Sequence, residues 1–232
     1  MSQTTTSPTQ LLSLGTDGVR TAHRTVTDRL REAILSGELP GGTRLVQSDL
    51  AGALQVSVTP VREALRDLVG EGLVEFDAYR GATVHTPTLE ELEEIYELRR
   101  MLTAGAVPQG VLNISEDELD QAAALHKTMK SETDPAAWLD LNRKFHHVLD
   151  AASRRPLYQE MLARLADLSA LYVGVTISGS RTRRANANRE HGKMVDAYRA
   201  RDTEAAVELA LSHLDETVSI ARARLLATTE GR

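Results

Sequence analysis

Four polar residues in the second half of the chain have spacing that suits a metal ion: Asn142 and His146, which are four positions apart, then His191 and His213. Residues at i and i+4 share one face of a helix, so the first two can chelate a single ion. Imidazoles from two further helices can complete such a site inside a bundle. The alternative is that each histidine is an ordinary hydrogen-bonded residue of the core or surface.

A second polar set, near the N-terminus, suits DNA. Ser57 and Thr59 precede Arg62 and Arg66, and the two arginines lie four apart on one helix face. An arginine can offer two donors to guanine, so we expect Arg62 to read a base, Arg66 to contact the backbone and Arg80 to reach an adjacent groove. The alternative is an ordinary solvated face, since Arg20 to His85 holds eight arginines against nine acidic residues.

Three short helices and a two-stranded hairpin are predicted to position this second set. Apolar residues recur every four positions from Thr21 to Leu35. Ser57, with Pro60 in the first turn, begins the third helix, which Gly72 ends. This order is typical of a winged helix-turn-helix, in which the third helix enters the major groove. The other predicted elements are a second helix capped by Gln47 or Ser48 that ends near Gln55, and strands at Leu73–Phe76 and Ala82–Val84.

The histidines fall in a region, residues 88–232, that has no strand pattern and several capped helix starts. Thr88 with Glu91 and Ser115 with Glu118 both fit the capping box. We therefore expect an antiparallel bundle of six or seven helices, so that the whole protein is mainly α. Further helices are predicted from Asp134 through Ala152, from Pro156 to about Ile177, from about Ala185 to Ala200 and from Asp202 to about Leu226, with a loop at Ser178–Arg184.

The composition excludes several classes of protein. The 232 residues contain no cysteine, which rules out disulfides, iron–sulfur clusters and thiolate zinc sites. No apolar run approaches the length of a membrane helix, and the net charge of −6 argues against a protein that coats nucleic acid. The first residues do not look like a secretory signal, so we expect a cytoplasmic protein with a disordered tail at residues 1–20.

The residues of the N-terminal region resemble a known family. The runs RLREAILSGELPGGTRL, VSVTPVREALRDLVGEGLV and YRGATV, within residues 21–87, look like the DNA-binding domain of the GntR family of bacterial transcription regulators. The resemblance implies that Ser57, Thr59, Arg62 and the wing around Gly81 contact operator DNA, and that the protein is a homodimer. Ser48 and Val58 stand where family members often have arginine, so weaker or different DNA contacts are expected.

The second region resembles the helical FCD domain of the FadR branch of that family, on the motifs NRKFHHVLDAA, REHGKMVDAYRARDTEAA and SHL. The resemblance implies a divalent metal, zinc or nickel, held in an effector cavity by Asn142, His146, His191 and His213. Aspartate is common at the first of these positions. The neutral Asn142 should therefore weaken metal binding and favour an anionic effector.

The motif LEEIYELRRMLTAGAV resembles the first helix of the same domain, where an arginine often pairs with the carboxylate of the effector. Arg99 is the matching residue, and its alternative role is an ion pair with Glu94 or Glu97. Thr103 stands where the family usually has glutamate. We expect this replacement to alter the local packing or the ion pairing.

The sequence as a whole predicts a DNA-binding transcriptional repressor whose operator binding responds to a small carboxylate metabolite. Two other classes of protein fit the sequence less well. A metal-dependent hydrolase lacks a general base, because Glu190 next to His191 points about 100° away on a helix. A scaffold protein would not explain the polar residues converging in the bundle. We therefore expect no enzymatic activity.

Overall fold

The computed structural model describes residues 22–77, 81–177 and 180–230, and for 228–230 it describes the backbone alone. Within these ranges the protein is mainly helical, as predicted, with ten helices and three short strands. Two compact units divide the chain, the first ending at Thr86 and the second beginning at Pro87. The predicted disorder of residues 1–20 and the predicted role of Arg80 lie outside the described residues.

The first unit is a winged helix-turn-helix. Its elements are α1 (Ala22–Leu35), β1 (Arg44–Leu45), α2 (Gln47–Leu54), α3 (Val58–Gly70), β2 (Val74–Asp77) and β3 (Gly81–Val84). The antiparallel sheet has the order β1-β3-β2. The two-residue β1 was not predicted, because it is too short to show an alternating pattern and exists only through its pairing with β3.

The core of this unit lies between α1 and α3. Val26 and Leu30 of α1 and Val61 and Leu68 of α3 are fully buried. Burying a side chain of this size contributes about 1.5–3 kcal/mol, so these faces hold α3 in place. The opposite face of α3 is left in solvent.

The start of α2 differs from the prediction, whereas the turn between α2 and α3 agrees with it. Val46, not Gln47 or Ser48, stands at the N-cap of α2, and both polar residues lie inside the helix. Gln55 ends α2 with φ of 56°, a left-handed conformation, and its backbone N–H bonds back to the helix. Ser57 stands at the N-cap of α3, as predicted, although its side chain makes no capping bond.

The second unit is all helical within residues 87–177 and 180–230. Its seven helices are α4 (Leu89–Asn113), α5 (Glu116–Ser131), α6 (Pro135–Ala151), α7 (Pro156–Leu168), α8 (Ala170–Ile177), α9 (Arg181–Arg199) and α10 (Thr203–Glu230). The two longest, α4 and α10, pack along each other. Their interface buries Leu92, Ile95 and Tyr96 against Leu214 and Ala221. None of the described helices is long and apolar enough to cross a membrane.

Two predicted helix boundaries in this unit are wrong. The single helix expected from Pro156 to Ile177 is interrupted at Ser169, whose hydroxyl donates to the carbonyl of Ala166 and so competes with the backbone ladder. The helix expected from Ala185 begins earlier, at Arg181. The Ser180 side chain caps it by accepting a hydrogen bond from the backbone of Arg183.

The two predicted capping boxes have different outcomes. Ser115 and Glu118 form the complete box at the start of α5. Thr88 accepts a hydrogen bond from the backbone of Glu91, but the Glu91 carboxylate accepts from the Tyr172 hydroxyl instead of returning to Thr88. The second half of that box is therefore replaced by a tertiary contact between α4 and α8.

We expect Ser115→Ala to lower the free energy of unfolding of the second unit by about 1 kcal/mol, because the start of α5 loses its side-chain acceptor. Thermal unfolding followed by circular dichroism measures the change. Ser131→Ala, at the other end of α5, is the matched control and should leave the midpoint almost unchanged. Equal effects of the two substitutions would contradict the assigned role of the cap.

Candidate metal centre and nucleic-acid interface

Three helices of the second unit bring three histidines together. His146 of α6, His191 of α9 and His213 of α10 each offer a ring nitrogen, and these nitrogens all lie within 4.8 Å of one another. The ring centroids are 4.9–5.2 Å apart. Three imidazoles converging from separate helices form the kind of donor set that binds a divalent ion.

Several buried polar atoms of this cluster have no hydrogen-bond partner among the described residues. His191 is fully buried and both of its ring nitrogens are unpaired. The Asn142 side-chain oxygen, one turn before His146 on α6, is also buried and unpaired. Each such atom costs about 1–3 kcal/mol, so a group of them is typical of a site that receives a ligand. The residues present therefore fit a metal ion.

The environment keeps the three imidazoles neutral. Burial lowers the pKa of His146 and of His191 well below the usual histidine value, and the neighbouring His213 adds to both shifts. Burial also lowers the pKa of His213, although its hydrogen bond to Glu190 acts in the opposite direction. Neutral imidazole is the form that coordinates metal.

Glu190 orients one of these histidines. One carboxylate oxygen accepts a hydrogen bond from His213 Nδ1 at 2.5 Å, and the other accepts from Arg183 Nη1 at 3.1 Å. Burial acts to raise the pKa of Glu190, but hydrogen bonds from His213 and Arg183 outweigh it and hold that pKa below its usual value. Because Nδ1 is engaged, Nε2 of His213 is the atom available to a ligand.

The sequence did not predict the roles of Arg183 and Glu190. Arg183 falls within the predicted loop at Ser178–Arg184, but it lies in the first turn of α9, is 5% exposed and also donates to the Thr217 hydroxyl. The sequence suggests only a general-base role for Glu190. The two residues are seven positions apart, which places them on one helix face. Recognising Ser180 as the N-cap of α9 would have placed Arg183 in the same helix as Glu190.

Arg99 of α4 is held beside the histidines. Its Nη1 donates to the Ser169 hydroxyl at 2.8 Å, and its guanidinium carbon lies 5.1 Å from the Tyr96 ring centroid. Its Nε is buried without a partner in the described part of the chain. The alternative ion pair with Glu94 or Glu97 does not form among those residues. A guanidinium with a spare donor next to a cavity can bind a carboxylate.

Two adjacent cavities share the side chains of Arg99, His146 and His213. Asn142 and Trp138 line the first, which we call the metal cavity. The second, which we call the distal cavity, is lined in addition by residues that include Thr103, Val107, Leu149, Asp150, Leu162, Met194 and Tyr198.

The remaining histidines lie apart from the cluster. His126 contacts the backbone oxygen of Asn188 at 2.8 Å. His23 and His85 pair with Asp67 and Glu75. His147, next to His146 on α6, is exposed.

The predicted DNA-contact residues lie on the solvent face of α3. Ser57 and Thr59 are exposed at its start, and Arg62 and Arg66 are exposed along it. Arg62 Nε donates to the Gln47 side chain of α2 at 3.4 Å, which joins the two helices at this surface. The remaining predicted contact, Gly81, opens β3 with φ of 78°.

Comparison with known proteins identifies the class of both units. Residues 22–84 match the family described as bacterial regulatory proteins, gntR family, and residues 94–216 match the FCD domain. The protein is therefore a transcriptional regulator that joins a DNA-binding unit to an FCD unit. It belongs to the GntR family of bacterial regulators, with the FCD type of second domain.

Individual relatives agree with this assignment. The chain is 32% identical to the HTH-type transcriptional regulator BphR of Paraburkholderia xenovorans LB400, over 88% of this chain and 86% of that protein. It is 28% identical to the HTH-type transcriptional repressor GlaR of Escherichia coli K12, over 80% and 89%. A solved GntR regulator from Rhodococcus sp. RHA1 superposes with a TM-score of 0.70 at 26% identity, over 87% and 97%. These relatives are regulators, so the hydrolase alternative is set aside.

We expect Asp150→Asn to stabilise the second unit near neutral pH. Burial raises the pKa of Asp150 from 3.8 to about 6, with Arg99 acting against the shift. The folded state therefore binds the proton more tightly than the unfolded state, and the cost of the charge is complete above pH 6 and absent below about pH 4. The gain should reach about 2–3 kcal/mol near pH 7 and vanish near pH 4.

Denaturant unfolding of wild type and variant across this pH range measures the effect. Trp138, the single tryptophan, is buried in the second unit and reports its unfolding by fluorescence. A stability difference that does not change with pH would contradict the assigned burial of the Asp150 charge.

Proposed function

We propose that this regulator is a repressor whose operator binding is controlled by a small carboxylate held at a metal ion in the second unit. The proposal rests on the observation that the groups needed to bind a metal ion and a carboxylate lie together in one site. It combines three neutral imidazoles, an unpaired amide oxygen and an arginine with a spare donor. A polar cavity of this kind in a helical bundle suits a small anionic ligand.

The metal would be held by His146, His191 and His213, with the Asn142 oxygen as a fourth donor. Zinc or nickel suits this nitrogen-rich set. When bound, the ion supplies a Lewis-acidic position for an oxygen of the effector. The neutral Asn142 adds no negative charge to the site, so an anionic effector is favoured.

Arg99 would bind the carboxylate of the effector. Its Ser169 contact and its position over Tyr96 restrain the guanidinium while Nε remains unused. A restrained donor loses less conformational entropy on binding than a free surface side chain. Arg99 is therefore the residue that selects acids.

For DNA binding, we assign Ser57, Thr59 and Arg66 to the phosphate backbone and Arg62 to a base. Arg80 and Gly81 would contact DNA from the wing. Arginine at the start of a recognition helix pairs well with guanine in the major groove.

A homodimer would place two such units on an inverted repeat. Exposed apolar side chains on α4 support self-association, namely Leu98, Met101 and Leu112, which are 45%, 62% and 64% exposed. Effector binding would change the populations of two arrangements of the DNA-binding units. This requires the effector to bind one arrangement more tightly than the other.

Zinc titration of the metal-stripped protein tests the metal site, with Trp138 fluorescence as the signal. Trp138 stacks at 6.2 Å from the His191 ring, so a bound ion should change its emission. We expect His146→Gln to weaken zinc binding by about 100-fold and Glu190→Gln by about 10–100-fold, since the second loses the orientation of His213. The control is His147→Gln, one position away and exposed, which should bind like wild type. A wild-type protein that binds neither zinc nor nickel would falsify the metal assignment.

A duplex selected by the protein from a random library serves as the probe for DNA binding. We expect Arg62→Ala to weaken binding to this duplex by about 10–100-fold and to relax base preference at one position of each half-site. Arg66→Ala should weaken binding to all sequences and reduce its salt dependence. Arg164→Ala, an exposed arginine of α7, is the control. If Arg62→Ala keeps the base preference of the wild type, Arg62 does not read a base and the assignment is wrong.

A further inference from the structure

The distal cavity contains a carboxyl group that the metal site does not use. Asp150 lies four positions after His146 on α6, which places both on one face of the helix. Among the residues that the structure describes, no side chain or backbone group donates a hydrogen bond to its carboxylate. The Asp150 carboxylate is half-buried and lines the cavity, so it is free to accept hydrogen bonds from a ligand that enters there.

A group of opposite charge lines the same cavity. Arg99 is close enough to act on the Asp150 charge, but the two do not form an ion pair within the described residues. Arg99 therefore keeps an unused donor at Nε, and the Asp150 carboxylate oxygens keep unused acceptor positions. A cavity with a separated positive and negative group is complementary to a molecule that carries both charges.

The other residues that line the distal cavity are mostly apolar, which suits a ligand with a short aliphatic chain. Val107, Leu149, Leu162 and Met194 supply apolar surface that methylene groups can contact. The Tyr198 hydroxyl stays protonated, because burial and then the Asp150 charge raise its pKa. It adds no negative charge.

We propose that the effector is a small amino acid whose carboxylate binds at Arg99 and the histidine cluster and whose ammonium group binds Asp150. This inference rests on the effector site proposed above. It adds that the effector carries an ammonium group besides its carboxylate. A simple carboxylic acid would leave Asp150 unpaired. A dicarboxylic acid would place a second negative charge against it, which is unfavourable in a buried site.

Matched pairs of ligands test this assignment. The probes are glycine, β-alanine, 4-aminobutyrate and 5-aminovalerate, each compared with the acid of equal length that lacks the amino group, and also succinate and glutarate. Calorimetric titration into zinc-loaded, full-length protein measures each affinity. We expect at least one amino acid to bind about tenfold or more tightly than its partner acid, and the dicarboxylates to bind more weakly than both.

Variants identify the group responsible for the preference. Asp150→Asn should abolish the preference for the amino acid, and the affinity of the simple acid should not fall, because the variant removes a negative charge near its binding site. Asp120→Asn, an exposed aspartate on α5, should keep the wild-type preference. Arg99→Gln should weaken the amino acid and the simple acid alike. Retained zinc binding shows that each variant is folded.

The outcomes separate this inference from the proposed function. If the simple acids bind through Arg99 but amino acids bind no better, the effector site stands and the amino-acid assignment is wrong. A preference that survives Asp150→Asn also overturns the assignment. If zinc binds and no ligand of the series does, both the carboxylate site and the amino-acid assignment fail.

Discussion

The packing of three imidazoles from separate helices against one another is the constraint on which the second unit depends. Trp138 and Phe145 pack against the His191 ring, so that ring has no access to water. The His191 imidazole, with both ring nitrogens unpaired among the described residues, is tolerated only if the surrounding helices fix it in place. The long contact between α4 and α10 and the Glu190 network provide that support. Holding these ligand atoms together therefore lowers the free energy of unfolding of the second unit.

The sequence predicted the helices well where capping residues and apolar periodicity agree. Ser115, Asp134 and Ser57 all mark true helix starts, because a side-chain cap or a first-turn proline is a local signal. The sequence failed where the outcome depends on distant partners. β1 exists only by pairing with β3, and the interruption at Ser169 is not marked by glycine or proline.

The same distinction applies to the candidate site. The spacing of Asn142 and His146 was visible in the sequence, with His191 and His213 as further candidates. The family resemblance supported a metal site at these four residues and supplied Arg99. Asp150 lies only four positions beyond His146, but a single aspartate on an amphipathic helix usually faces solvent. Its place in the distal cavity depends on how α4, α6 and α9 pack, which no local pattern specifies.

The charge of Arg99 has a thermodynamic consequence for binding in the metal cavity. The Arg183 guanidinium is paired with the Glu190 carboxylate, whereas Arg99 forms no ion pair with a described acidic residue and so gives the metal cavity a local positive potential. This potential opposes the entry of a divalent cation and favours an anion. A bound carboxylate neutralises part of it and so raises the affinity for the metal. Linkage then requires the metal to raise the affinity for the carboxylate by the same factor. Ion and anion are therefore coupled ligands, and the occupancy of each depends on the concentration of the other.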